Sequence, residues 1–236
     1  MIRMMVILAS ALLTTLTWTH EISAASWDFI YECDKLPDDP ALKDKVWEVY
    51  KTQGIATSDV CEITAKKELH ITDPDNKVCF FMQPVKNAEK ATVEARVKVL
   101  SQSGVGYTIL LGIEDGAIYT WLDLFPDRVQ LDGGESHKVD MTDYHILRVA
   151  RDGNDVTIYV DDEKAIQGQP GGTGDRKNII FGAGSTAGTG EHYWDYVVFT
   201  TAGAFSPKEL PNFLSMQAIG SRGKVTTCWG TLKHQS

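Results

Sequence analysis

The sequence predicts an all-β fold, a sandwich of two antiparallel sheets followed by a short irregular C-terminal tail. The clearest sign is residues 144–166, YHILRVARDGNDVTIYVDDEKAI. There Ile146, Arg148 and Ala150 interleave with His145, Leu147 and Val149, and Val156, Ile158 and Val160 interleave with Thr157, Tyr159 and Asp161. Both halves carry the two-residue period of strands. Between them stand Asp152, Gly153, Asn154 and Asp155. Gly and Asn tolerate positive φ, and Asx side chains bond their own backbone, so these four residues predict a hairpin turn. The second sign is a series of short alternating runs with turn residues between them. The third is the lack of any long run of helical period between Trp27 and Thr201.

Taken in order, Trp27, Phe29 and Tyr31 alternate with Asp28, Ile30 and Glu32, and a loop with Pro37 and Pro40 follows. Residues 46–51 form the next strand expectation. Residues 62–72 and 77–83 flank a turn at Asp73, Pro74, Asp75 and Asn76. In residues 91–100, ATVEARVKVL, Val93, Ala95, Val97 and Val99 share one face and Thr92, Glu94, Arg96 and Lys98 the other. The first face belongs in a core and the second carries charge. Residues 104–116 and 117–131 continue the pattern, with Tyr119, Trp121, Asp123 and Phe125 opposite Ile118, Thr120, Leu122 and Leu124. Asp161, Asp162 and Glu163 make a second turn, residues 168–175 a Gly-rich loop, and residues 178–184 and 190–201 the last strands. Beyond them Pro207, Pro211, Gly220 and Gly223 break up the chain. One or two helical turns are expected in residues 210–218 and a short closing strand in residues 225–232.

Composition bounds the rest. At 236 residues, 43% hydrophobic and 23% charged, the chain has room for one large β domain with a proper core. Residues 1–25 carry Arg3, an apolar run and the small residues Ser23, Ala24 and Ala25, the pattern of a secretory signal. The apolar run is shorter than the roughly 20 residues of a membrane span. The domain expectation is therefore 1–25 leader, 26–205 sandwich and 206–236 tail, exported to the periplasm, the cell surface or the medium, with no membrane span in the mature chain. Arg3 and Glu21 cancel, so the mature net charge stays at -9. Without a basic run, such a surface is a poor partner for nucleic acid. Cys33, Cys61, Cys79 and Cys228 form an even set, which outside the cytoplasm reads as two disulfides with three possible pairings. None of them is spaced as zinc ligands are.

The pattern Tyr-His, hydrophobic-Arg, Arg-Asp-Gly, hydrophobic-Tyr-Val-Asp-Asp at residues 144–162 resembles the paired strands of concanavalin A-like lectin/glucanase and laminin-G-like jelly rolls, with Asp162 where Gly is commoner. The resemblance implies a jelly roll whose first and last strands lie side by side, which favours Cys33 with Cys228 and Cys61 with Cys79. Trp194, Asp195, Tyr196 and Val197 resemble the family's last-strand motif. Its Asp often helps hold a structural calcium, so Asp195 with Asp28 or Glu32 opposite is the expected metal set, since calcium needs several oxygens at about 2.4 Å.

The glucanase branch uses Glu-x-Asp-x-x-Glu on one strand, because alternate positions place nucleophile and acid on one face about 5 Å apart. No such triplet occurs here, which argues against a retaining hydrolase of that branch. Gly171, Gly172, Thr173 and Gly174 lack the Lys and helix of a phosphate loop. His145 and His192 pair with no Ser or Cys at triad spacing. The residues instead suggest a cleft of Glu94, Arg96, Tyr119, Trp121, Asp123 and Arg148. Rings there would stack on pyranose faces while planar polar groups bond hydroxyls. The competing structural reading is a cross-strand charge network with Trp121 simply packed. The expected function is a secreted, non-catalytic, lectin-like module whose partner is carbohydrate or a glycosylated surface. The alternatives are a glycoside hydrolase or related sugar-cleaving enzyme of the same fold, and an adhesive module that binds protein.

Overall fold

The computed structural model describes residues 25–73, 77–104 and 106–218. In chain order its strands are β1 Phe29–Tyr31, β2 Glu48–Lys51, β3 Cys61–Ile63, β4 Leu69–Asp73, β5 Cys79–Pro84, β6 Lys90–Gly104, β7 Ile109–Asp115, β8 Ile118–Phe125, β9 Arg128–Leu131, β10 Ser136–Lys138, β11 His145–Asp152, β12 Asp155–Val160, β13 Glu163–Gly168, β14 Gly172–Thr173, β15 Lys177–Ala183 and β16 Gly188–Thr200. They form two antiparallel sheets. Sheet A runs β13-β12-β11-β6-β16-β4-β3 with β1 also on β16, and sheet B runs β10-β9-β8-β7-β15-β5-β2 with β14 also on β8. This is the expected two-sheet antiparallel sandwich, with the first and last strands adjacent: Phe29 faces Phe199 and Tyr31 faces Val197.

Alternation fixes the register. Val93, Ala95, Val97 and Val99 of β6 are fully buried between the sheets, beside Trp194 of β16 and opposite Leu111 and Ile113 of β7 and Phe181 of β15, in one cluster. Burying each such side chain is worth about 1.5–3 kcal/mol, and a one-residue slip would turn all four of β6 outward, so the register is strongly specified. The central hairpin forms as expected, with Gly153 at φ 59° between Asp152 and Asp155. The second turn uses Asp161 at φ 49° and Asp162 at φ 69° in the left-handed region where glycine is easier. Asp161 offsets that strain by accepting from Ile146 N at 2.9 Å and pairing with His145 Nδ1 at 2.6 Å.

Three expectations change. The run 62–72 is two strands, because Thr64 N bonds Glu68 O at 2.9 Å and turns the chain around Lys67 at φ 62°. The strand expected over 46–51 begins only at Glu48. Cys33, Cys61 and Cys79 are free buried thiols rather than half-cystines. Cys61 and Cys79 nevertheless touch across the gap between the sheets, and a hydrogen bond from Cys79, then burial, pushes the Cys61 thiol well up. Cys228, the expected closing strand and nearly all of the expected leader lie outside the described residues. Among the described residues, no helix is long and apolar enough to cross a membrane.

After β16 the chain folds back over the outer face of sheet A. Trp27, Tyr196, Val198, Leu210 and Phe213 bury one another there in a second, smaller cluster. A helical turn starts at Phe213, within the span expected for it.

Candidate functional site

The six residues expected to line one cleft stand on opposite sides of the molecule. Glu94 and Arg96 on β6 and Arg148 on β11 project from the outer face of sheet A, where Arg148 faces Glu94 across the strands. Tyr119, Trp121 and Asp123 project from the outer face of sheet B on β8. The fully buried residues of β6 and β8 both point into the layer between the sheets, so the two triplets share no surface.

Glu94 and Arg148 are nearly inaccessible, at 0% and 1% exposure. Arg148 donates to Glu94 from Nε at 3.0 Å and to the Leu210 carbonyl from Nη1 at 2.7 Å. Glu94 Oε1 accepts from the Tyr196 hydroxyl and from Phe213 N, both at 2.9 Å. Burial still holds the Glu94 carboxyl above its usual range, against the opposing pull of Arg148, Phe213 N–H and Tyr196. The tail occupies this position, so these residues clamp the protein's own chain. Arg96 pairs instead with Asp195 at 2.8 Å and lies 4.2 Å from the Tyr144 ring centre. A β-bulge between Trp194 and Tyr196 turns Asp195 out beside it.

The expected metal pair does not converge. Asp28 accepts from Thr200 Oγ1 at 2.7 Å and Thr201 N at 3.1 Å, at the end of β16 remote from Asp195. Asp195 faces a guanidinium, the position a cation would need. Glu32 lines a hollow of about 250 Å³ with Asp34, Lys66, Lys67 and Asp195, where two ammonium groups already stand among the carboxylates. These residues do not fit a calcium sphere well, and among the described residues no three His, Cys, Asp or Glu side chains group as metal ligands.

Sheet B is different. Its outer face is assembled by register in cross-strand rows. One row runs Asp123, Leu110, Gly182, Phe80, Tyr50, and the next runs Trp121, Gly112, Ile180, Met82, Glu48. The third is Tyr119, Glu114, Asn178, Pro84. Leu110 and Ile180 are buried on this outward side, at 2% and 1% exposure, so the middle of the face is a packed floor below its rims. At one rim Tyr119 and Trp121 stack with centroids 4.1 Å apart, and Tyr107, 38% exposed, tilts over Trp121 at 6.1 Å. At the other Tyr50, 53% exposed on the edge strand, stacks on Phe80 at 4.9 Å. Gly112 makes the first rim possible. A Cβ there would meet Trp121 Cδ1 at 2.7 Å, so only glycine lets the indole lie flat over β7.

The polar groups sit among these rings. Asp123 accepts from Tyr107 N at 2.7 Å, and burial, with a smaller push from Asp132, raises its carboxyl to about 7. Asp132 is held beside Trp121 by a 2.9 Å bond from its own N to Trp121 O, and it accepts from the Tyr119 hydroxyl. On the floor Glu114 pairs with Arg176 at 2.8 Å and accepts from Asn178 Nδ2 at 3.4 Å, and Arg176 lies 5.6 Å from the Phe80 ring centre. Sequence reading missed Tyr50, Phe80, Tyr107, Gly112, Glu114, Asp132 and Arg176. Gly112, alone inside an apolar strand run, was the one local signal of a close approach.

No family model matches the chain, and neither does any curated protein. Solved structures do. The chain is similar to a β-1,3-glucanase from Mycobacterium marinum at 13% identity, covering 75% of this chain and 100% of that one with a TM-score of 0.47. It is also similar to a Bacillus licheniformis β-glucanase at 13% identity, 64% and 91% coverage and TM-score 0.43. An alginate lyase of polysaccharide lyase family 7 is similar at 11% identity, 63% and 87% coverage and TM-score 0.45. At such identities the likeness is one of architecture, and the function follows from this chain's own residues.

Proposed function

We propose that the outer face of sheet B binds carbohydrate. The carrying observation is the stacked, partly exposed pair Tyr119 and Trp121 beside the Asp123 and Asp132 carboxylates, on a floor lowered by Gly112 and Gly182. Flat rings meet the C–H faces of sugar rings, and carboxylates accept from the hydroxyls that project around their edges. The half of the expected cleft on sheet B survives in this reading. Glu94 and Arg148 are assigned to the tail clamp, as the competing charge-network reading had it.

A specific observation favours the enzyme alternative as a second reading. Asp123, raised to about 7, holds its proton near neutral pH, while Asp132 stands close enough to influence it. A carboxyl group raised by burial beside a second carboxylate is the pattern of a candidate general acid. In that reading Asp123 donates a proton to the leaving glycosidic oxygen and Asp132 acts as the anionic group, as nucleophile or as base toward water. The face then cleaves what it binds.

Trp121→Ala tests the first reading: retention on immobilised glycan should fall while the thermal midpoint stays close to wild type. Unchanged retention with a lowered midpoint would reassign Trp121 to packing. Release of reducing ends from a mixed polysaccharide panel, abolished by Asp123→Asn out of proportion to any loss of binding, would establish the second. Export of the protein, the setting of both readings, is supported by the composition of residues 1–25.

A further inference from the structure

Resting on the carbohydrate reading, we infer that this face takes an uncharged polysaccharide long enough to bridge both aromatic rims, and that it rejects polyuronates. Two observations carry this: the rows of the sheet and their charge.

The row from Asp123 to Tyr50 crosses four strand intervals, through Leu110, Gly182 and Phe80. At about 4.8 Å per interval the rims lie roughly 19 Å apart, and since an extended chain advances about one sugar ring per interval, about four rings connect them. The middle of that row contributes no ring and, at Gly182, no side chain. Gly182 has φ 117°, and a Cβ there would meet Cys79 O at 3.0 Å, so the lowered floor is built into the backbone. A disaccharide could occupy either rim but not both.

Along this path the unbalanced charge is negative. Asp132 and Glu48 stand at the two ends, and Asp123 adds to them above about pH 7. Among the described residues, the cation over the floor, Arg176, is taken by Glu114 at 2.8 Å. Among the described residues, Lys51 and Lys177 alternate onto the face opposite Tyr50 and Asn178, and past the first rim Arg128 pairs with Asp127 at 2.9 Å and Lys138 lines a hollow shared with Asp127 and Asp140. A uronic acid chain would bring one carboxylate per ring against these acids with no free guanidinium to receive it, and like charges at close range repel. Neutral hydroxyls are the complementary partner, because carboxylates are acceptors only.

Calorimetric titration of the full chain at low salt would use two sets of probes. The first is neutral oligomers of glucose, xylose and mannose, from two to six rings; the second is hexamers of galacturonate and mannuronate. Neutral hexamers are expected to bind at least about 10-fold more tightly than either hexauronate, with affinity rising until about four rings and then levelling. Tyr50→Ala should weaken the neutral hexamer about 10-fold and the dimer by much less, because a dimer keeps the Tyr119–Trp121 rim. Hexauronates binding as tightly as neutral hexamers would overturn the charge class while leaving the carbohydrate reading in place. Equal affinity for dimer and hexamer, or a Tyr50→Ala variant indistinguishable from wild type, would overturn the bridging. No binding by any member of the panel would remove the carbohydrate reading, and this inference with it.

Discussion

The two outer faces of this sandwich carry similar chemistry and put it to opposite uses. On sheet A, Glu94, Arg148, Tyr196 and Trp27 make an aromatic and charged surface that the chain covers with its own residues 205–213. On sheet B, Asp123, Asp132, Tyr119 and Trp121 make a comparable surface on which, among the described residues, Tyr50 and Tyr107 stay exposed although Asp123 itself is 4% exposed. Rings and carboxylates are thus no sign of a ligand site until what lies over them is known. A charge taken fully out of water must be paired and hydrogen-bonded, as Arg148 is; a group at a binding face keeps some of its capacity for the ligand.

This contrast can be broken experimentally, beginning with the largest expected effect. Arg148→Met leaves Glu94 buried without its cation, so unfolding free energy should drop by about 3–5 kcal/mol in urea titration. Glycan retention of the folded fraction should be untouched. Glu94→Leu combined with Arg148→Met should recover much of that loss, because it removes both charges together. A single variant as stable as wild type would mean that the tail does not exclude water from the pair.

Trp121→Ala on the other face should weaken glycan binding by about 1–3 kcal/mol, read by calorimetry, with a much smaller cost to stability than Arg148→Met. Asp123 sharpens the contrast further through pH. Its native pKa of about 7 lies above the ordinary 3.8. Between those values the folded state holds a proton that the unfolded state has released, so this group makes stability fall as pH rises from about 4 to 7, by up to about 1.4 kcal/mol per pH unit. Asp123→Asn should flatten that slope in melts taken across the window; an identical slope would place the titration on another group. The smallest effect is expected at Arg96 and Asp195, whose side chains are 31% and 29% exposed. Arg96→Met should change stability by about 0–1 kcal/mol.

What sequence could reveal follows from the range of each signal. The hairpin at Gly153, the inward row Val93 to Val99 and the opposed faces of β8 were all readable, because alternation and turn chemistry act over a few residues. The adjacency of β1 and β16 came with the family resemblance. The assignment of β6 and β8 to different sheets was not readable. Both strands show a polar face opposite an apolar one, and only the crossing of the chain after Gly104 sends β7 and β8 to sheet B. Grouping Glu94, Arg96 and Arg148 with Trp121 treated two similar patterns as one surface. The burial of Glu94 and Arg148 was equally hidden, since Phe213 N, which donates to Glu94, lies 119 residues on, and Leu210 O, which accepts from Arg148, lies 62 residues on, both from the main chain. The same non-locality concealed Phe80 and Tyr50, which reach Asp123 only through three and four successive pairings.

Trp27 near the beginning of the described chain and Phe213 near its end are packed into one cluster on sheet A. Both ends of the described chain therefore meet on the outer face of sheet A, away from Trp121 and Tyr50. The packing that joins the two described ends and the rings of Tyr50 and Trp121 thus use different faces, and a change made to one leaves the other's surface intact.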